Sequence, residues 1–142
     1  MYFMVLVKSL MRKPVFLYPD DDLKKISSKL RQSDVDVFVV INKKGKFLGE
    51  IHEMDLLSAV IPERNLSSEE VIGILGFGIK KKFFGKKAKD FMKKHNVIAS
   101  PGDKVEDIAV KMYREEIKCI PVIVKDKVRG VITIGELVRH LA

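Results

Sequence analysis

Residues 130–137 read GVITIGEL, and residues 49–56 read GEIHEMDL. Both stretches begin with a glycine and end with an acidic residue followed by leucine. Working outward from them, residues 10–57 can be laid over residues 91–138 with one single-residue gap in each direction. A chain that matches itself over such a length is built from repeated structural units. The sequence therefore contains two copies of one unit.

The match includes the turns and the apolar runs of each copy. Three further blocks agree in register: residues 11–13 fall on 92–94, residues 19–23 on 101–105, and residues 35–41 on 117–123. In each copy a proline followed by Asp or Gly precedes apolar residues at helical spacing, which predicts a helix start. Two short runs rich in β-branched residues follow, with a polar turn between them, which predicts a hairpin. A second helical pattern ends each copy, so the predicted order is strand, helix, strand, strand, helix.

These patterns predict an α+β fold of two pseudo-symmetric β-α-β-β-α units. A unit of about fifty residues is too small to bury both faces of its sheet alone, so we expect the two units to pack sheet to sheet. We place the first unit at residues 1–60 and the second at residues 87–142. Residues 61–86 form a connector, in which residues 67–70 (SSEE) have the chemistry of a short helix start. A ligand would lie in the cleft between the units.

Composition limits the possible classes of protein. The 142 residues are 46% hydrophobic and 32% charged, which is typical of a folded globular chain. The single cysteine, Cys119, excludes an intrachain disulfide and suits a reducing compartment. The apolar opening MYFMVLVKSLM is too short to span a bilayer and resembles no leader, so we expect a cytoplasmic protein without membrane association.

The net charge of +8 is concentrated in one segment. Between Lys80 and Lys94 there are eight lysines and one acid, Asp90. Interleaved phenylalanines (Phe83, Phe84 and Phe91) make a nucleic-acid or phosphate patch one interpretation of this basic run. A solvated connector face is the other interpretation, and the one we favour.

The arrangement resembles the tandem CBS (cystathionine-β-synthase-type) pair, often called a Bateman module. The family pattern is a strand with a central proline, followed by Gly, two apolar residues, and Thr-x-x-Asp. The second copy carries Pro121 and the Gly130 to Thr133 stretch, and the first copy carries Gly49 and Asp55. The resemblance covers nearly the whole chain apart from the connector.

The resemblance implies clefts that bind an adenine-containing ligand such as AMP, ADP, ATP or S-adenosylmethionine, with no cofactor required. In the family the aspartate accepts hydrogen bonds from ribose hydroxyls, and the threonine and helix N-terminal amides meet phosphate oxygens. Carried over to this sequence, Asp55 and His52 take these places in the first site, and Glu136 and Thr133 in the second. The family also implies a lining of apolar and strand residues around the base: Phe16, Val35, Asp36, Val37, Ile98, Ile117, Lys118, Cys119 and Pro121.

Some of these residues also have purely structural interpretations. Thr133 and Glu136 have the spacing of a helix capping box. Asp55 suits the first turn of a helix through the helix dipole, and His52 is bulky enough to fill a pocket instead of binding a ligand. Cys119 lies in a strand run and is expected to be a buried apolar residue and not a nucleophile.

The sequence shows neither a catalytic constellation nor a set of metal ligands, so we expect the chain not to be an enzyme. The first hypothesis is a homodimeric sensor of an adenine nucleotide that reports its ligand to a regulated protein in trans. The alternative is a ligand-free interaction or dimerisation module. In that case the basic run would contact nucleic acid or an acidic partner.

Overall fold

The computed structural model describes residues 5–61 and 85–140. The first unit consists of strand β1, helix α2, the hairpin strands β2 and β3, and helix α3, which continues as a 3-10 turn. A short helix α1 precedes it, which the sequence did not predict. The bounds are α1 Val7–Leu10, β1 Phe16–Leu17, α2 Leu23–Gln32, β2 Val37–Ile41, β3 Phe47–His52, α3 Glu53–Leu56 and the 3-10 turn Leu57–Ala59.

The second unit follows the same order with one difference. The short helix α4 Ala88–Phe91 precedes it, as α1 precedes the first unit. Its elements are helix α5 Val105–Glu115, strand β4 Cys119–Val124, strand β5 Lys127–Thr133 and helix α6 Ile134–Arg139. The strand predicted to open this unit is reduced to one parallel bridge between Ala99 and Val122. Two backbone hydrogen bonds hold it, from Ala99 N to Pro121 O at 3.0 Å and from Ile123 N to Ala99 O at 2.8 Å. Residue 99 thus sits where β1 sits in the first unit.

Local chemistry explains where the longer helices and the hairpins begin and end. The Asp22 side chain accepts a hydrogen bond from Lys25 N at 2.9 Å and so caps α2. Helix α5 ends at Glu116, which has a left-handed backbone (φ 54°). The turn between β2 and β3 uses Gly45 with φ 82°. The turn between β4 and β5 uses Lys125 and Asp126, both with positive φ, as in the turns that suit tight hairpins.

In the part of the chain that the structure describes, the strands form two small sheets. In one sheet β1 runs parallel to β2, and β2 pairs antiparallel with β3. In the other, β4 pairs antiparallel with β5. Alternate residues of β2 face opposite sides: Phe38 and Val40 pack against α2, whereas Val37 and Val39 pack against the second unit. The predicted α+β fold with units packed sheet to sheet is confirmed.

The chain crosses between the units before each one begins. The first arm, residues 7–12, lies on the second unit, and the second arm, residues 88–93, lies on the first. Val7 N donates to Asp103 O at 2.8 Å, and Ala88 N donates to Asp21 O at 2.8 Å. Both Val7 and Ala88 are completely buried. Each unit is therefore completed by residues that precede the other unit in sequence.

The arms also extend the two sheets. Arg12 pairs with Val131 through two backbone hydrogen bonds of 2.9 Å, and Lys93 pairs with Glu50 through bonds of 2.9 and 2.8 Å. Gly49 and Gly130 lie beside these pairs. A side chain at either position would collide with the arm. A Cβ on Gly49 would lie 2.7 Å from Lys93 O, and one on Gly130 would lie 2.7 Å from Met11 Sδ.

The two glycines give a matched test of the crossing arms. We expect Gly49→Ala to destabilise the protein by about 1–3 kcal/mol, because the carbonyl it meets belongs to the backbone and cannot turn away. Gly130→Ala should cost less, about 1 kcal/mol or below, because the methionine thioether it meets can adopt another rotamer. Urea unfolding of both variants measures the difference. Equal costs would contradict the close backbone contact of the second arm.

Candidate functional site

Each arm brings one basic side chain to the carboxylate at the start of a terminal helix. Arg12 Nε lies 3.0 Å from Glu136 Oε1, and Lys93 Nζ lies 3.3 Å from Asp55 Oδ1. We call the group around Asp55, with His52 and Lys93, the first cleft. The group around Glu136, with Thr133, Arg12 and Asp36, is the second cleft. The two clefts are pseudo-symmetric, because Arg12 and Lys93 are equivalent in the repeat, as are Glu136 and Asp55.

In the first cleft, Asp55 is buried at the start of α3. Its Oδ2 accepts a hydrogen bond from His52 N at 2.9 Å, which fixes the carboxylate at the end of β3. His52 occupies the capping position before α3, and its ring is partly buried. The structure thus brings the two residues predicted for the first site together on one strand-to-helix junction.

In the second cleft, Thr133 and Glu136 form the capping box that the sequence allowed. Thr133 N donates to Glu136 Oε1 at 3.1 Å, and Thr133 Oγ1 donates to Glu136 Oε2 at 2.6 Å. Arg12 contacts Glu136 and also forms an ion pair with Asp36 of the first unit. The second cleft is therefore built from both units, with Arg12 between two carboxylates.

A buried carboxylate that the sequence analysis did not select lies beside the first cleft. Glu50, on β3, is only 3% exposed, and its Oε1 lies 3.5 Å from His52 Nε2 and 3.3 Å from His95 Nε2. Its equivalent in the second unit is Val131. An acidic residue in an apolar strand run, where the other copy has valine, is the sequence signal that could have identified it.

Glu50, His52, His95 and Cys119 form a cluster in which the pKa values of Glu50, His95 and Cys119 are shifted. Burial alone would raise the pKa of Glu50, but the close approach of His52, His95 and Cys119 outweighs burial and lowers that pKa to about 2. The nearby Glu50 carboxylate raises the pKa of His95, against the opposing effect of burial. Burial and the Glu50 charge raise the pKa of the Cys119 thiol, so this cysteine stays protonated and is a poor nucleophile.

The residues expected to line the base lie in different parts of the structure. Val35 and Ile117 pack into the cores beneath the helices of their own units. Phe16, Val37 and Cys119 pack between the two sheets. Pro121 is buried opposite Val131 in the β4–β5 pair, whereas Asp36, Ile98 and Lys118 are exposed. Of this set, Asp36 is joined to a cleft carboxylate through Arg12.

Three lysines in the described part of the basic run pair with acidic groups. Lys87 and Lys89 lie 3.6 and 3.2 Å from Asp20 Oδ1, and Lys93 pairs with Asp55. Phe91 is completely buried in the first unit and does not offer a face to a base. Lys80, Lys81, Lys82, Phe83 and Phe84 lie outside the described residues, as does the helix start predicted at residues 67–70.

The CBS domain family model matches residues 7–62 and 88–142, which together form most of the chain. The chain belongs to the CBS domain family. The two units with their crossing arms are therefore a tandem CBS pair. The CBS family assignment and the sheet-to-sheet packing agree with the resemblance found in the sequence.

Similar proteins support the same architecture. The protein MJ1426 of Methanocaldococcus jannaschii is 26% identical, over 96% of this chain and 91% of that protein. The solved structure of CBSX2 in complex with AMP has a TM-score of 0.79 at 20% identity, covering 99% of this chain and 97% of that one. The CBS domain pair of MJ0100, in complex with 5'-methylthioadenosine and S-adenosyl-L-methionine, has a TM-score of 0.75 at 19% identity, covering 98% of this chain and 97% of that one.

Within residues 5–61 and 85–140, no helix is long and apolar enough to cross a membrane. The same residues contain no group of three or more His, Cys, Asp or Glu side chains placed to hold a metal ion.

The Glu50 cluster predicts a specific pH dependence of stability. Because the folded pKa of Glu50 is lower than its ordinary value, its contribution is complete above pH 4.5 and is lost as the pH falls toward 2. The raised pKa of His95 acts in the opposite direction, so its contribution is lost as the pH rises through that pKa. Urea unfolding from pH 2 to pH 8 measures both effects.

Glu50→Gln tests how the stability depends on pH below pH 4.5. We expect the variant to be less stable than the wild type at pH 7, by on the order of 1–3 kcal/mol, because a buried acceptor is lost. It should also lose less stability than the wild type below pH 4.5. Glu53→Gln, at an exposed position nearby on the same strand-to-helix junction, serves as the control. If the wild type and Glu50→Gln lose the same stability below pH 4.5, the assigned pKa is wrong.

Proposed function

We propose that this chain is a regulatory module that binds an adenine nucleotide (AMP, ADP or ATP) or S-adenosylmethionine in the first cleft. One observation carries the proposal: a buried carboxylate, Asp55, is held at a strand-to-helix junction beside two basic side chains, His52 and Lys93. A fixed carboxylate is a good acceptor for vicinal ribose hydroxyls. The CBS family assignment and the adenine ligands of CBSX2 and MJ0100 support the same class of ligand.

An exposed cation beside Asp55 suits the phosphate of a nucleotide. The Lys93 side chain is 58% exposed and carries its charge on a flexible stem, so it can move from Asp55 to a phosphate oxygen. The His52 ring lies on the other side of the junction, with its Nε2 3.5 Å from Glu50 Oε1. Closure of the two units around such a ligand would shift a conformational equilibrium, which a protein acting in trans would detect. On this proposal the chain performs no chemistry itself.

Thermal unfolding with AMP, ADP, ATP and S-adenosylmethionine tests this proposal. A ligand at 100 times its dissociation constant should add about 2.7 kcal/mol to the stability of the folded chain. Asp55→Ala should abolish this ligand-induced gain, beyond the cost of about 1 kcal/mol for the lost helix cap. Glu53→Ala, in the same first helical turn but exposed, should keep the gain.

The result that would overturn the proposal is the absence of any shift with millimolar concentrations of all four ligands. A shift that persists in Asp55→Ala would place the ligand elsewhere. The first of these results would favour the alternative of a ligand-free interaction module.

The proposal includes a homodimer formed through the outer helices. Several large apolar side chains on these helices are exposed, namely Met54, Leu57, Val60, Val110, Tyr113, Ile134 and Val138. On the second unit, α5 and α6 flank a largely apolar groove of about 940 Å³. Exposed apolar surface of this kind is typical of interaction sites. Association of two copies would bury it.

Tyr113→Asp tests the dimer. Tyr113 is 87% exposed, so the substitution leaves the core intact but places a charge in the proposed interface. We expect light scattering after gel filtration to show a dimer for the wild type and a monomer for the variant. Lys111→Asp places the same carboxylate on the opposite side of α5 and should remain dimeric. A monomeric wild type would contradict the proposal.

A further inference from the structure

Four donor atoms surround the carboxylate of the second cleft. Glu136 Oε1 accepts hydrogen bonds from Arg12 Nε at 3.0 Å and Thr133 N at 3.1 Å. Glu136 Oε2 accepts from Thr133 Oγ1 at 2.6 Å and Arg139 Nη2 at 2.8 Å. A carboxylate offers about four lone-pair sites, so these donors fill it. Ribose hydroxyls that approached Glu136 would have to displace a donor already in place.

The threonine of the second cleft is also engaged. Thr133 is 5% exposed, and its hydroxyl donates to Glu136. The two groups that the family uses for ribose and phosphate are therefore bonded to each other. The extra methylene of glutamate lets the carboxylate reach back to the threonine and, at the same time, reach Arg12.

The cations of the two clefts are held differently. Arg12 contacts Glu136 of the second unit and Asp36 of the first, and its side chain is 32% exposed. Lys93 contacts Asp55 at 3.3 Å and its side chain is 58% exposed. A guanidinium shared by two carboxylates is orientated by several hydrogen bonds, whereas an ammonium on a flexible stem is a mobile point charge. Displacing Arg12 therefore costs more than displacing Lys93.

We infer that the Arg12 side chain occupies the second cleft in place of a ligand. The chain therefore binds one nucleotide, in the first cleft. This inference rests on the proposed function for the ligand of the first cleft. Arg12 and Glu136 are thereby specificity-determining residues, because they decide whether the second cleft accepts a ligand. They also join the two units through Asp36 in place of a ligand.

The number of bound nucleotides tests the inference. Equilibrium dialysis with radiolabelled AMP at saturation should give one AMP per wild-type chain and none for Asp55→Ala. The double variant Arg12→Ala with Glu136→Asp removes the occupant and restores the family aspartate, so it should bind two. Adding Asp55→Ala to this double variant should leave one. Lys13→Ala with Glu136→Asp, which changes an exposed neighbouring lysine and keeps Arg12, should still bind one.

The possible results separate this inference from the proposed function. If the wild type binds two AMP molecules and Glu136→Ala reduces this to one, the second cleft is open and the inference is wrong. A double variant that binds no more AMP than the wild type also overturns it. If the wild type binds none and the double variant binds one, the inference stands and the proposed first site fails. If no variant binds AMP and none binds ADP, ATP or S-adenosylmethionine in the same assay, both are overturned. Circular dichroism confirms that each variant is folded.

Discussion

The backbone pairing of the two arms is the constraint on which the other features of this protein depend. Arg12 bonds to Val131, and Lys93 bonds to Glu50, so a residue that precedes the other unit forms a bridge at the edge of each sheet. Neither sheet has its final edge pairing until both copies are present. Unsatisfied backbone groups at a buried edge are costly, so neither unit is complete alone. The same pairing places the Arg12 and Lys93 side chains beside the helix-start carboxylates.

Much of this architecture could be predicted from the sequence, because it follows from local patterns. The apolar spacing around Ile26 and Ile108, the capping aspartate Asp22 and the Thr133 capping box each act within a few residues. The crossing of the arms could not be predicted in this way. It depends on which edge residues 7–12 and 88–93 pair with, and the repeat register matches these segments to each other without saying where they lie.

The same distinction between local patterns and long-range contacts applies to the candidate sites. The pairing of His52 with Asp55 and of Thr133 with Glu136 follows from a spacing of three residues at a helix start. The contact of Arg12 with Glu136 spans 124 positions and arises because an arm carries Arg12 across to the other unit. The Glu50 cluster likewise joins residues from both units, so no spacing rule reveals it. Sequence patterns identified the local half of each cleft, and the arms supplied the rest.

The two clefts share one scaffold but differ in charge. Glu50 lies beside the first cleft, at the position where the second unit has Val131. A buried carboxylate is tolerated only when other groups pair with it. His52 and His95 are those partners, so the acid explains why histidine stands at the place where the second cleft has Thr133. Glu50 and His52, which stand where the second unit has Val131 and Thr133, approach each other to 3.5 Å. The first cleft keeps Lys93 near Asp55, whereas in the second cleft Arg12 contacts Glu136.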